Sequence, residues 1–375
     1  MSLEDLSNFT SFLGVCIRLV EVQEDVGGLR DSEFRLQTRE TVSLVTEALE
    51  HLRGIQDEGS SEQMARTRRL SKSVGELEKL CQVGFAYAAY DTRQRICGGR
   101  VLLRIRLAPD EVASLSEPDP LFSLVPRTAY LPFLFHDVLE HFKKSAIARM
   151  GQPYELWFDF NHTALKWHFP VGVLCDALVG VEVPVPLDLT VHFRGNSVMS
   201  DLLPFSGMAD LQRSVMNAFK QAIFLEVGSA SRFMRLEKKE HMMLWDAILQ
   251  SDIKSFSQVE EKLMCSTLAE CKSLAVRLHI WAPAHDDEVL LHKAPALRES
   301  GAAFTLSDFL ALAMPPLLSA AGDVLAEGVE VLTQGLIVPL DTPLFWLALH
   351  ASYLDHFVHL IARVPDSFLK PQESS

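Results

Sequence analysis

Three groups of residues in this 375-residue chain are of types that could carry chemistry. The first is Lys220, within Met216-Asn217-Ala218-Phe219-Lys220-Gln221-Ala222. Helical spacing gives it Met216, Asn217, Ile223 and Phe224 as neighbours, so its stem crosses a partly apolar surface. A lysine amine becomes a nucleophile when it is partly unprotonated or is presented to an activated ester, and burial lowers its pKa in that direction. The competing reading is a lysine snorkelling along that surface, which any helix can contain. The second group is Cys175 with His168. A thiol nucleophile needs an exposed cysteine of low pKa paired with a base. Cys175 sits beside Val173 and Leu174 on an apolar face, which predicts a core residue instead. The third group is His350, His356 and His359. Residues 356 and 359 straddle a predicted helix-to-strand turn, and a metal site needs ligands oriented by further groups. They read as satisfied or solvent-facing histidines. No HExxH or CxxC pattern occurs, and Gly98-Gly99 precedes a strand rather than cradling a phosphate. No catalytic residue, cofactor or metal is expected.

Composition sets the surroundings of these groups. The chain has 35 basic and 49 acidic residues, a net charge of −14, which argues against a general nucleic-acid binder. Hydrophobic residues make up 48% of it, enough to fill sizeable cores. No apolar run is long enough to span a membrane, and the acidic N-terminus is the wrong polarity for a secretory signal. The six cysteines (Cys16, Cys81, Cys97, Cys175, Cys265, Cys271) lie in apolar surroundings. They read as core thiols in a reducing, cytoplasmic setting.

The elements that must position Lys220 follow from periodicity. Residues 1–90 carry amphipathic helical spacing, with Val42, Val45, Leu49 and Leu52 on one face and Leu70, Val74, Leu77 and Cys81 on another. From Arg100 the pattern turns to strands. Val101 to Leu107 and Leu121 to Val125 are strands, and Phe133 to Met150 is a helix. Trp157 to Phe160, a polar turn at Asn161-His162-Thr163 and a second short run precede a helix begun by Pro170. Leu187 to Phe193 is a last strand. The large apolar groups Trp157, Phe158, Phe160, Leu165, Trp167 and Phe169 are expected to hold this unit together. That element order is the order of a ubiquitin-like roll.

Residues 210–265 read as helical, with a first helix through Leu211, Val215, Phe219 and Ala222, a second over Phe233 to Leu249 and a third over Val259 to Met264. The roll then recurs. Leu274 to Trp281 and Glu288 to Leu291 form a hairpin, and Thr305 caps a helix with Asp308 at N3. Gly335 to Val338 is a strand, Leu344 to His350 a helix and Phe357 to Ile361 the last strand. The fold class is therefore α+β, with two ubiquitin-like β-grasp domains flanking a helix-rich domain and an N-terminal helical extension. The expected boundaries are 1–90, 91–198, 199–270 and 271–367, with a disordered tail over 368–375.

Several stretches, in order, resemble the autophagy protein 5 family. They are Leu124-Val125-Pro126-Arg127-x-x-Tyr130-Leu131, then Leu165-Lys166-Trp167-His168-Phe169-Pro170-x-Gly172, then Thr190-Val191-His192-Phe193. Further on come Met216-x-x-x-Lys220-x-Ala222, Lys238-Lys239-x-His241-x-x-Leu244-Trp245 and Leu340-x-Thr342-Pro343-Leu344-x-Trp346-Leu347. The resemblance runs from about residue 95 to 365.

It implies that Lys220 is the acceptor of an isopeptide bond to the C-terminal glycine of autophagy ubiquitin-like protein 12. The conjugate would bind the N-terminal helix of autophagy protein 16, in contact with a transient conjugating enzyme. It would promote transfer of ubiquitin-like protein 8 to phosphatidylethanolamine in autophagosome formation, without a catalytic residue of its own. The implied location is the cytoplasm, with recruitment to the preautophagosomal membrane and membrane contact by association. The chain ends PDSFLKPQESS, without a terminal glycine, which predicts a modified protein rather than a modifier. Two alternatives stay open: a non-covalent scaffold of the same complex, and a helical assembly subunit acting through residues 1–90.

Overall fold

The computed structural model describes residues 92–113, 116–146, 156–182, 184–193, 202–263, 271–282, 288–299, 302–366 and 368. The extension expected over 1–90 and nearly all of the tail expected over 368–375 lie outside them.

Strand β1 (Arg100–Leu107) alternates RVLLRIRL, so Val101, Leu103, Ile105 and Leu107 are buried together on one face. β2 (Leu121–Pro126) runs antiparallel to it, with Leu103 opposite Ser123. The strands β3 (Trp157–Phe160) and β4 (Thr163–Ala164) form a hairpin. Its two turn residues, Asn161 and His162, take positive φ of 50° and 68°, which matches the strand twist. β5 (Leu187–His192) enters parallel to β1, giving the order β2-β1-β5-β3-β4. Helices α1 (Phe135–Phe142) and α2 (Val171–Val179) supply Phe135, Val138, Phe142, Val171 and Cys175 to the core.

Two local expectations differ here. The described part of the helix expected over 133–150 consists of a 3-10 turn, Leu131–Leu134, followed by the short α1, and residues 147–150 lie outside the described residues. Its apolar stripe runs out after Phe142, where Lys143, Lys144 and Ser145 follow, and Ala146 bridges instead to Val112. Pro170 stands at the N-cap of α2 and not in its first turn.

Helices α3 (Met208–Val227), α4 (Ser231–Met234), α5 (Lys238–Gln250) and α6 (Ile253–Glu260) form the middle region. The helix expected over 233–249 is split into α4 and α5. A capping box between Glu237 and Glu240 starts a new helix there, which satisfies orphan N–H groups that a continuous helix would have bonded internally. The helix expected over 259–264 runs earlier, because Asp252 accepts from the N–H groups of Lys254 and Ser255 and caps it.

The second sheet repeats the first. β6 (Leu274–Trp281), β7 (Glu288–Ala294), β8 (Glu330–Thr333), β9 (Leu336–Ile337) and β10 (Val358–Arg363) take the order β7-β6-β10-β8-β9, with β10 parallel to β6. α7 (Leu306–Ala313) begins with the Thr305–Asp308 capping box, and α8 (Leu344–His350) follows Pro343. Sequence periodicity missed β8 and drew β9 too long. Gln334 and Gly335 at positive φ (52° and 80°) turn the chain between them. The α+β class with two ubiquitin-like rolls about a helical region is the one expected.

The aromatic stretch does not serve one core. Phe158 and Leu165 fill the first roll. Trp167 belongs to the helical core beside Leu211, Phe219 and Phe233, and its indole N–H donates to the Leu203 carbonyl at 2.8 Å. Phe169 packs with Val173, Ala177, Tyr353 and Ile361 between the two rolls. Gly172 sits at that seam, where a Cβ would lie 2.7 Å from the Tyr353 hydroxyl and 2.9 Å from the Arg127 carbonyl oxygen. Close approach of α2 to the second roll therefore needs glycine there.

Candidate functional site

Helix α3 buries Leu211, Val215, Phe219, Ala222, Ile223 and Glu226, a stripe at three- and four-residue spacing. Lys220 stands at the margin of this stripe and is half-buried, between half-buried Met216, exposed Asn217 and Gln221, and exposed Phe224. The expected apolar surface under its stem is present. A further neighbour was not foreseen. Gly228 ends α3 in the left-handed conformation (φ 81°), and α4 then returns Phe233 across it. The Lys220 Nζ lies over the Phe233 ring, 5.5 Å from its centroid. At a partly exposed site this cation–π contact is worth about 0.5–1 kcal/mol.

Phe233 is itself held. It packs 5.6 Å from the Phe219 ring and 4.9 Å from the His241 ring, and is 1% exposed. The neighbouring Arg232 donates to the Leu263 carbonyl at 3.3 Å, which ties α4 to the end of α6. Among the described residues no carboxylate pairs with Lys220, whereas Lys143 and Lys262 are bonded to Glu140 and Glu240. The site thus offers a primary amine at the surface, carried on an aromatic face.

The other candidate groups are structural. Cys175 is buried in the first roll, and burial pushes its thiol up to about 12, so it is no nucleophile near neutral pH. His168 instead lies against the rings of Trp167 and Phe169. The C-terminal histidines are buried, so the solvent-facing alternative falls away. His356, at φ 66°, places Nδ1 2.7 Å from Glu260 and Nε2 3.0 Å from Glu226. Arg93 Nη2 donates to Glu260 at 3.0 Å and to the Ser352 hydroxyl at 3.2 Å. Burial opposes charge on His356, but the two carboxylates outweigh it and hold the imidazolium up to about 10. Burial likewise opposes charge on Glu260, and Arg93 with His356 bring it down to about 2.

A second chain joins His279, His359 and Asp355. Burial, against the pull of Asp355, lowers His359 to about 4. Neutral His359 donates from Nε2 to Asp355 at 3.0 Å and accepts at Nδ1 from His279 at 2.9 Å. Arg277 donates to the same carboxylate at 2.8 Å, its guanidinium 3.9 Å from the Phe357 centroid.

These two histidines give stability opposite slopes on either side of their ordinary value of 6.5. The folded pKa of His356 is raised, so its contribution is full below 6.5 and is lost as pH rises toward about 10. The folded pKa of His359 is lowered, so stability falls as pH drops from 6.5 toward about 4, and His292, lowered by burial, adds the same sign. Urea unfolding between about pH 5 and pH 9 should show a maximum near neutrality, with limbs of roughly 1 kcal/mol per pH unit. His356→Gln should flatten the alkaline limb alone. A stability that keeps rising to pH 9 would contradict the charged assignment of His356.

Three models of one family match in chain order: the autophagy protein ATG5 UblA domain over residues 96–193, its alpha-helical bundle region over 208–266 and its UblB domain over 273–362. Autophagy protein 5 of Aspergillus clavatus is 26% identical over 310 residues, covering 72% of this chain and 96% of that protein. The Drosophila melanogaster protein is 28% identical over 266 residues, covering 70% and 93%. The Oryza sativa subsp. indica protein is 30% identical over 181 residues, covering 48% and 46%. The crystal structure of Kluyveromyces marxianus Atg5 shares the fold, with a TM-score of 0.61 at 22% identity over 72% of this chain and 98% of that one.

Proposed function

This chain belongs to the autophagy protein 5 family, and we propose that it works there as a conjugation acceptor through Lys220. The modifier is autophagy ubiquitin-like protein 12, delivered as a thioester of its C-terminal glycine on a conjugating enzyme. The neutral Lys220 amine attacks the thioester carbonyl carbon, the C–N bond forms and the C–S bond breaks. The enzyme's cysteine leaves as thiolate, and the proton lost by the amine passes to solvent. The chain contributes no catalytic group; it positions the amine, which lowers the entropic part of the barrier. One observation carries this reading. Lys220 sits half-buried on the first helix of the family's helical bundle region, with no carboxylate among the described residues to hold its ammonium.

In the cytoplasm the conjugate takes up the N-terminal helix of autophagy protein 16 in a groove between domains, as amphipathic helices commonly dock. Recruited to the preautophagosomal membrane, the complex promotes transfer of ubiquitin-like protein 8 to phosphatidylethanolamine. The direct test is co-expression of the full chain with the modifier, its activating enzyme and its conjugating enzyme, followed by a denaturing gel and peptide mapping. A product heavier by one modifier, with the isopeptide on Lys220, supports the reading. An unshifted chain that still co-purifies with the modifier would favour the non-covalent scaffold instead.

A further inference from the structure

We propose that Phe233 is a positioning residue for the acceptor, a ring platform that holds the Lys220 amine where an incoming thioester can reach it; this rests on Lys220 being the acceptor. The contact itself is the Nζ of Lys220 over the Phe233 face, 5.5 Å from the centroid. Of the cations that lie over a ring among the described residues, Arg93 and Arg277 are the others, and both also bond a carboxylate. Lys220 alone among the three has only the ring.

The difference matters for reactivity. A carboxylate partner favours the ammonium and occupies the atom that must attack, as the Glu240 hydrogen bond does for Lys262, whose pKa it raises. A ring face attracts the ammonium more weakly and over a broad area, so it orders the flexible stem without competing for the lone pair once the proton leaves. The platform is rigid where the lysine is not. Phe233 is 1% exposed, wedged between the Phe219 and His241 rings, while its short helix is tied down by Arg232. An amine pre-ordered in this way reacts faster than one that samples all its rotamers.

The experiment is single-turnover discharge of the modifier from its thioester with the conjugating enzyme onto the full chain. Phe233→Leu keeps apolar bulk but removes the π face, and Phe233→Tyr keeps the face. For Phe233→Leu the limiting rate is expected to fall about tenfold while the half-saturating concentration holds, and for Phe233→Tyr the rate should recover. A role in folding alone would not give that split with rescue.

A second reading needs no variant. Reductive ¹³C-methylation of the wild-type chain should place the Lys220 dimethylamine resonance upfield of the exposed lysines, because the ring current reaches it. It therefore decides the case even where Phe233→Leu does not fold. An unchanged rate in a folded Phe233→Leu chain, or a Lys220 resonance among those of exposed lysines, overturns the proposal. Discharge by the wild-type chain to a residue other than Lys220 defeats the acceptor reading itself, while the resonance still reports whether the ring holds the amine.

Discussion

Lys220→Arg is expected to abolish the covalent product completely while leaving the thermal unfolding midpoint close to that of wild type. The guanidinium keeps the positive charge and can lie over Phe233 as the ammonium does, so the surface of α3 changes little. What it lacks is chemistry. A guanidinium stays protonated in proteins, so no neutral nitrogen is available to attack a thioester near neutral pH. Two measurements separate the outcomes, a denaturing gel after co-expression and a thermal melt of the purified chain. A shifted band that persists in the variant would move the acceptor to another lysine. A lost band accompanied by a large fall in melting temperature would point to damaged folding in place of lost chemistry.

Glu260→Ala is expected to have the largest effect on stability, a loss of about 3–5 kcal/mol. Glu260 is 1% exposed and stands between Arg93 and His356, both cationic and buried. Removing it leaves His356 with Glu226 but strips Arg93 of its carboxylate, keeping the Ser352 hydroxyl, and desolvation of an unpaired cation is among the costliest events in a protein interior. Glu260→Gln should cost less, since the amide oxygen still accepts from Arg93 or His356. Replacing Arg93 and Glu260 together by Met and Leu should recover part of the loss, because an apolar pair of similar size leaves fewer charges unmatched. Urea denaturation of the variants measures this directly. A Glu260→Ala chain within about 1 kcal/mol of wild type would mean that water reaches the cluster.

Much of this architecture was legible before folding was considered. Strand alternation in Arg100–Leu107 and Leu274–Trp281, the Thr305–Asp308 capping box and the proline before Leu344 are local signals, complete within one turn or one strand. Their periods of 2 and 3.6 residues follow from backbone geometry alone. The ordered motifs from Leu124 to Leu347 likewise need no coordinates, and with them came the family and Lys220.

Partner choice was another matter. The histidine at 356 reads as an ordinary turn residue, yet its carboxylates come from Glu226 and Glu260, 130 and 96 residues earlier. Trp167 and Phe169 stand two residues apart and fill different cores, because one faces the helical region and the other the seam between the rolls. The Lys220 platform follows the same rule. Phe233 looked like the first residue of a long helix; only the break at Glu237 frees α4 to fold back and set a ring beneath the amine. Periodicity says which face of an element is apolar, and it carries no information about which distant face will cover it. That choice is made by close packing of whole elements, where volume, charge and chain connectivity must be satisfied together.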